Sequence, residues 1–309
     1  MRDMPEKRAP LDWVLFAVLT TLWGSAYAFT RLAVSQSDPS EGFSPQLIIP
    51  IRLTGGAVLL LIVALWSGQS WPRLREWRTW LAMVIMGFVG TVAPFLLITI
   101  AQQTVDSSLA ALYVSAAPLF VATMAHFAFH DDRMHMRKVC GILIGFVGVA
   151  VLFGPEAVAS FGSASVTAQA LCLLATFFYA TSTITARFAK DLEPFVFSAG
   201  FVSFGAIMSW PLLLWVDFEA LQPSTSAIAG LVGLAIGPTA MASLLYVILV
   251  QRTSATFLSL TGYTIPIFSA IIGYLAFAEL QSWNALLAFA LILGGVWTSQ
   301  RMSAKPATD

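Results

Sequence analysis

The chain has 309 residues, of which 58% are hydrophobic and 10% charged, and its mean hydropathy is +0.81. A soluble domain of this size would leave too much apolar surface in water, so an integral membrane protein is expected. The formal net charge is zero, which excludes bulk attraction to nucleic acid. Cys140 and Cys172 both sit in apolar runs, with neither a disulfide framework nor metal spacing, and read as inert packing residues. No glycine-rich phosphate loop is present, so no ATP use and no cofactor are expected.

In chain order, ten segments are long enough to cross a bilayer, which needs about 20 apolar residues each. They lie near 12–34, 45–67, 77–101, 105–129, 137–154, 164–189, 194–217, 226–250, 254–277 and 282–301. Backbone groups in hydrocarbon must be satisfied within the segment, so all are predicted to be helices. The small, polar stretch 155–165 reads as a seam between residues 1–154 and 155–309, two five-helix halves of one membrane domain. A basic start, an apolar run and Ala26-Tyr27-Ala28 imitate a cleaved signal peptide, but cleavage there would delete the first segment and is not expected.

The two halves repeat. Pro118 matches Pro266 at an offset of 148, Pro45 matches Pro194 and Trp66 matches Trp215 at 149, and Arg31 matches Arg187 at 156. The last alignment also sets Trp23 on Tyr179 and Thr20 on Thr176. Positive residues collect on the cytoplasmic side. Taking loops alternately, one set with both termini holds all of the 16 Lys and Arg except Arg31 and Arg52. Both termini are therefore predicted to be cytoplasmic. The first and sixth segments then run in opposite directions, so the repeats are inverted, as alternating access requires.

Helical spacing puts Thr20, Trp23, Tyr27 and Thr30 on one stripe, mirrored by Thr176, Tyr179 and Thr183 on the sixth segment. The eighth segment has Thr239, Ser243 and Tyr246 behind Pro238, and the third carries Pro94 at a comparable depth. Tyr113, Ser115, Thr261 and Tyr263 precede Pro118 and Pro266. Trp23, Tyr27, Tyr113, Tyr179, Tyr246 and Tyr263 are candidates for an aromatic box that stacks on flat groups or faces a cation. The alternative is helix packing by aromatic and hydroxyl side chains. Pro118 and Pro266 each remove a backbone donor and free a carbonyl one turn back, which makes them candidate hinges or plain kinks. Trp13, Trp71, Trp77, Trp80, Trp215, Trp283 and Trp297 lie near segment ends and read as an interfacial belt.

Arg52 is the one strong cation inside the apolar zone. It can meet a substrate carboxylate through two parallel bonds. The favoured expectation is that it reaches outward or pairs with Asp38 or Glu41. Asp12, Asp106, Asp217 and Glu279 all fall at segment ends, so no carboxylate relay is embedded. His126, near the cytoplasmic end of the fourth segment, is the one candidate for a protonation role. His130-Asp131-Asp132-Arg133-Met134-His135 has metal-binding residue types, but a solvated loop is expected and no metal site is assigned.

Several motifs together resemble the drug/metabolite transporter superfamily in its ten-helix EamA branch. They are Leu22-Trp23-Gly24-Ser25, Ser44-Pro45 with Ile51-Arg52, Ala110 to Phe120 around Pro118, Gly145 and Gly148, and Gly294-Gly295. The family's Glu after the fourth helix is kept in the second half as Glu279, whereas the first half has Asp131 and Asp132. The wealth of aromatic residues resembles the YddG branch of aromatic amino acid exporters. The resemblance implies a metabolite exporter of the bacterial inner membrane. The expected function is a secondary transporter of small amphipathic metabolites, neutral or aromatic amino acids above all, working as an uncoupled facilitator. A proton-coupled multidrug or cation antiporter is the alternative. An intramembrane enzyme is more distant, since no metalloprotease motif, paired intramembrane Asp or Ser–His pair is present. The expected partners are a small-molecule substrate and lipid, and an oligomer is possible but not required.

Overall fold

The structure, a computed structural model, describes residues 10–35, 38–128, 136–153, 164–187, 193–252 and 261–300. The long helices of the first half are α1 (Pro10–Val34), α2 (Pro45–Trp66), α3 (Trp77–Ala101), α4 (Ser107–Ala128) and α5 (Met136–Phe153). In the second half, α6 (Ala164–Arg187) and α7 (Pro194–Trp215) are followed by α8, built from Thr225–Leu234, Ala235–Met241 and Ala242–Arg252. The last two are α9 (Thr261–Phe277) and α10 (Trp283–Gln300). Among the described residues, seven helices are long and apolar enough to cross a membrane, and apolar runs on α5, α9 and α10 are shorter. Every start lies within a few residues of its expected position except that of α9, because 253–260 fall outside the described residues. Of the expected seam 155–165, residues 155–163 also fall outside them and 164–165 open α6, and the loop with His130 and His135 falls outside as well.

Local chemistry explains the boundaries. Pro45 and Pro194 open their helices at positions where the missing N–H loses no bond. The Ser224 hydroxyl accepts from the Ala227 amide at 3.3 Å and caps α8. α9 stops where Ala278 takes a left-handed conformation with φ 55°. Its amide still reaches the Tyr274 carbonyl at 2.9 Å, and the Glu279 amide reaches Gly273 at 3.2 Å.

Two helices carry a π-turn next to a proline: Phe88–Val92 before Pro94 in α3, and Ala235–Met241 around Pro238 in α8. Proline cannot donate to the preceding turn, and a widened turn absorbs the mismatch. Each bulge lies on a glycine of the opposite half. A Cβ on Gly205 of α7 would strike the Thr91 hydroxyl, and one on Gly56 of α2 would strike the Thr239 methyl. Gly56 and Gly205 are 149 residues apart, the same offset as Pro45 and Pro194.

The remaining packing follows the same exchange. α1 lies against α8 and α9, while α6 lies against α3 and α4; α2 faces α7, and α5 faces α10. Small residues allow the last approach: a Cβ on Gly148 would come within 2.9 Å of Ile292. The glycines of α5 and α10 thus serve contact within the chain, with Gly294 free of close neighbours. The largest core joins α2, α3, α7 and α8 through Ile48, Leu53, Met83, Val202 and Leu234. A second core around Tyr113 joins α1, α3, α4, α6 and α10.

Candidate functional site

α2, α3, α8, α1 and α6 bring their polar stripes toward one centre, and Arg52 stands in it. Its side chain is 5% exposed, contrary to the expectation that it reaches outward or pairs with Asp38 or Glu41. The α2 face that carries Ile48, Ile49, Leu53 and Gly56 packs on α7 and α8, and this packing turns Arg52 inward. Its Nε donates to the Thr239 hydroxyl at 2.9 Å, which itself donates to the Leu234 carbonyl at 2.8 Å within the π-turn of α8. The guanidinium carbon lies 3.7 Å above the Phe95 ring of α3, one residue past Pro94. Tyr27 and Tyr179 lie within electrostatic reach of the same charge. The ring of Tyr179 meets that of Phe95 edge-on, with centroids 6.5 Å apart. Proline-widened turns on both α3 and α8 therefore position the groups that hold Arg52.

Of the aromatic residues expected to form one box, Tyr27, Tyr113 and Tyr179 share one core, and the side chain of Tyr263 lies outside the described ones. Tyr27 and Tyr179 belong to the Arg52 centre. Trp23 pairs instead with Tyr246, centroids 5.5 Å apart, and Tyr246 is 40% exposed. Tyr113 is fully buried, and its hydroxyl donates to Gln169 Oε1 of α6 at 2.6 Å. Tyr263 lies on α9, three residues before Pro266. Thr183 is exposed and bonds back to the Tyr179 carbonyl at 3.0 Å, and Ser243 is half-buried on α8. Thr20 and Thr30 donate to carbonyls one turn back in their own helix. His126 is half-buried near the end of α4, with its ring against Phe127.

The two candidate hinges differ. α4 breaks between Val114 and Ala117, just before Pro118, whereas α9 runs unbroken through Pro266. The helices touch there: a Cβ on Gly262, one turn before Pro266, would lie 3.5 Å from the Pro118 ring.

A second constellation, not expected from the sequence, ties α1, α4 and α9 together at one end. The Arg31 guanidinium bonds to Asp106 at 2.8 Å and to the Glu279 carboxylate. Glu279 Oε1 also accepts from the Ser107 amide at 3.1 Å and the Ser107 hydroxyl at 2.6 Å. Oε2 accepts from the Ser108 amide at 3.0 Å and from the Ser108 hydroxyl. Glu279 thus caps the start of α4 from another helix, favourably placed against its dipole. Burial alone would raise the Glu279 pKa, but the serine bonds and Arg31 outweigh it and hold the carboxyl below its ordinary range. Gly273 leaves the room it needs, since a Cβ there would strike Glu279 Oε2. At the other end of α1, buried Asp12 accepts from Arg252 of α8 at 2.7 Å.

A cavity of about 290 Å³ lined by Pro50, Ile51, Thr54, Gly55, Trp210 and Leu213 lies between α2 and α7, on the α2 face opposite Arg52. Among the described residues, no group of three or more His, Cys, Asp or Glu could hold a metal.

The profile of the EamA-like transporter family matches this chain twice, over residues 11–154 and 166–299. The chain is 25% identical over 293 residues to the uncharacterized transporter YdfC of Bacillus subtilis (strain 168), covering 91% of this chain and 88% of that one. It is 26% identical over 296 residues to a probable terminal-alkyne amino-acid exporter of Streptantibioticus cattleyicolor, covering 94% and 93%. A solved crystal structure aligns with 96% of this chain and 99% of its own at a TM-score of 0.64 and 22% identity, a likeness of fold.

Proposed function

This chain belongs to the EamA-like transporter family, and we propose that it exports small amphipathic metabolites, neutral and aromatic amino acids above all, by alternating access as an uncoupled facilitator. It is a multi-pass protein of the bacterial inner membrane. In this reading all ten helices span the bilayer, residues 1–154 and 155–309 form inverted repeats, and both termini are cytoplasmic. The observation that carries it is the exchange of bulges, in which Thr91 sits on Gly205 and Thr239 on Gly56. Two halves that clasp each other through equivalent contacts can rock between equivalent states around a central site. The Arg31, Asp106 and Glu279 cluster is then the extracellular latch that joins α1, α4 and α9.

Two further observations support the substrate class and the uncoupled mechanism. Aromatic rings border the buried centre, which suits a flat apolar side chain, and the relative in S. cattleyicolor is a probable terminal-alkyne amino-acid exporter. Asp12, Asp106 and Glu279 all sit at helix ends in ion pairs. A proton relay through the membrane would require an ionisable chain at depth. The test is uptake of labelled tryptophan, phenylalanine and threonine into liposomes holding the purified protein, with and without an imposed pH gradient. Downhill flux that ignores the gradient supports the proposal, flux that requires it overturns the uncoupled mechanism, and flux of none of the three overturns the substrate class.

A further inference from the structure

The surroundings of Arg52 define the charge of the ligand. Its Nε is held by Thr239, and Phe95 covers one face of the guanidinium. Among the described residues Arg52 makes one hydrogen bond, from Nε, no carboxylate pairs with it, and its terminal nitrogens keep a little exposure. A guanidinium at this depth is expensive to leave without a counter-charge, and an aromatic face with one neutral hydroxyl replaces only part of its hydration. A charge so placed is expected where an anion visits it. The fixed Nε and the stacked ring plane leave the two terminal nitrogens as a pre-oriented fork, which matches the two oxygens of a carboxylate.

We propose that Arg52 is the anion anchor of the transport site, and that a single carboxylate is the obligatory charged group of the ligand. The geometry that carries this is the guanidinium fork held between Phe95 and Thr239, with its two terminal nitrogens turned to no acceptor among the described residues. One cation balances one carboxylate, so the site takes a ligand with a single carboxylate, with the Phe95 and Tyr179 rings beside it for an apolar body. Among the described residues no acidic side chain ion-pairs at this centre, so an ammonium group on the ligand has no ionic partner and is dispensable. Aryl monocarboxylates are therefore ligands on the same footing as aromatic amino acids. This inference rests on the transporter reading above and narrows its substrate class.

The test measures binding of phenylalanine, 3-phenylpropionate, phenylalaninamide, phenethylamine and phenyl phosphate to the purified full chain in detergent. Phenylalanine and 3-phenylpropionate are expected to bind within about fivefold of each other, and the amide and the amine about 30-fold more weakly or worse, the scale of one charge-assisted pair. Arg52→Gln should lose about 30-fold in affinity for the two acids, and Arg52→Lys should recover part of it, since a point charge keeps the attraction without the fork. Should Arg52→Gln fail to fold, Thr239→Val tests the same site, because it frees Nε while keeping the charge. It should weaken acid binding severalfold and keep the preference for acid over amide. Amide binding as tight as acid binding, or an Arg52→Gln protein that keeps its acid affinity, would overturn the anchor. Tighter binding of phenyl phosphate than of 3-phenylpropionate would overturn the carboxylate assignment. Flux of the same compounds in liposomes separates the two readings. Acids that bind but never cross refute transport and leave the anchor standing; amine flux equal to acid flux refutes the anchor and leaves transport standing.

Discussion

Replacing Glu279 with Gln should release the latch, and its geometry sets the size of the effect. The carboxylate accepts five bonds, three on Oε1 and two on Oε2. The amide has one oxygen. Its nitrogen must then face a backbone N–H of Ser107 or Ser108, two donors in opposition, and the charge that Arg31 meets is gone. Breaking a buried ion pair costs about 3–5 kcal/mol. Arg31 is 20% exposed and keeps Asp106, so the low end, about 3 kcal/mol, applies. If opening at this end already breaks these bonds, the open state gains about 100-fold in relative population. Cys172 is a native reporter, fully buried in the core that contains Tyr27, Ile98 and Tyr113. In a Cys140→Ser background, its labelling by an impermeant thiol reagent applied from the Glu279 side should accelerate by that order. Arg31→Gln should act in the same direction. A change below about threefold in a folded Glu279→Gln protein would refute the latch, since it would put the cluster's worth under 1 kcal/mol.

Other perturbations follow from the same structure. Glu279 has its pKa lowered on folding, so its contribution is complete above the ordinary carboxylate range and is lost only as pH falls through the depressed value. Flux should therefore be flat between about pH 5.5 and 8; a step in that window assigned to Glu279 by its loss in Glu279→Gln would refute the depressed carboxyl. Pro118→Ala should let α4 close its break and slow turnover by about tenfold with little change in KM, while Pro266→Ala, in a helix already continuous, should do less; equal losses in turnover and binding would remove the hinge role. Trp23→Ala and Tyr179→Ala should each lower flux in a folded protein, and unchanged flux in both would remove aromatic contact from the mechanism.

How much was legible in the sequence depended on the range of the interactions. Helix bounds were readable because apolar runs end at Pro45, Pro194 or charged loops, signals that act within a turn or two. Pro94 and Pro238 also announced a local defect, although not that the defect would be a π-turn. The latch was not readable, because Arg31 meets Glu279 across 248 positions and Asp106 across 75. A signal existed: the loop charges put all three residues at the same end, and one helix-terminal acid beside a helix start invites a cap. Arg52 was misjudged for another reason. A position in α2 gives its depth, but the direction of its side chain depends on α3, α7 and α8 packing around it. The aromatic candidates likewise depend on long-range packing: Tyr27, Tyr113 and Tyr179 share one core, whereas Tyr246 draws Trp23 to another helix pair.

Symmetry and chemistry part company at the centre, and the division has a physical reason. The offset of 149 that pairs Gly56 with Gly205 also pairs Arg52 with Phe201. The clasp is thus duplicated and the charge is not. Rocking between two equivalent states needs contacts that can be exchanged at similar free energy, and repeated glycines under repeated bulges provide that. Ligand recognition has the opposite requirement. A second buried guanidinium facing the first would repel it at low dielectric and would demand a second anion. Under the proposed mechanism, one Arg on a duplicated frame would give the ligand a single orientation, carboxylate toward α2 and apolar body toward Tyr179, shared by both openings. Moving the charge to the repeat-mate, with Arg52→Phe and Phe201→Arg together, therefore should not restore acid binding, because Phe201 packs in the core beside α3 rather than on the Phe95 and Thr239 cradle. Restored acid selectivity in that double variant would show that the centre, too, is symmetric.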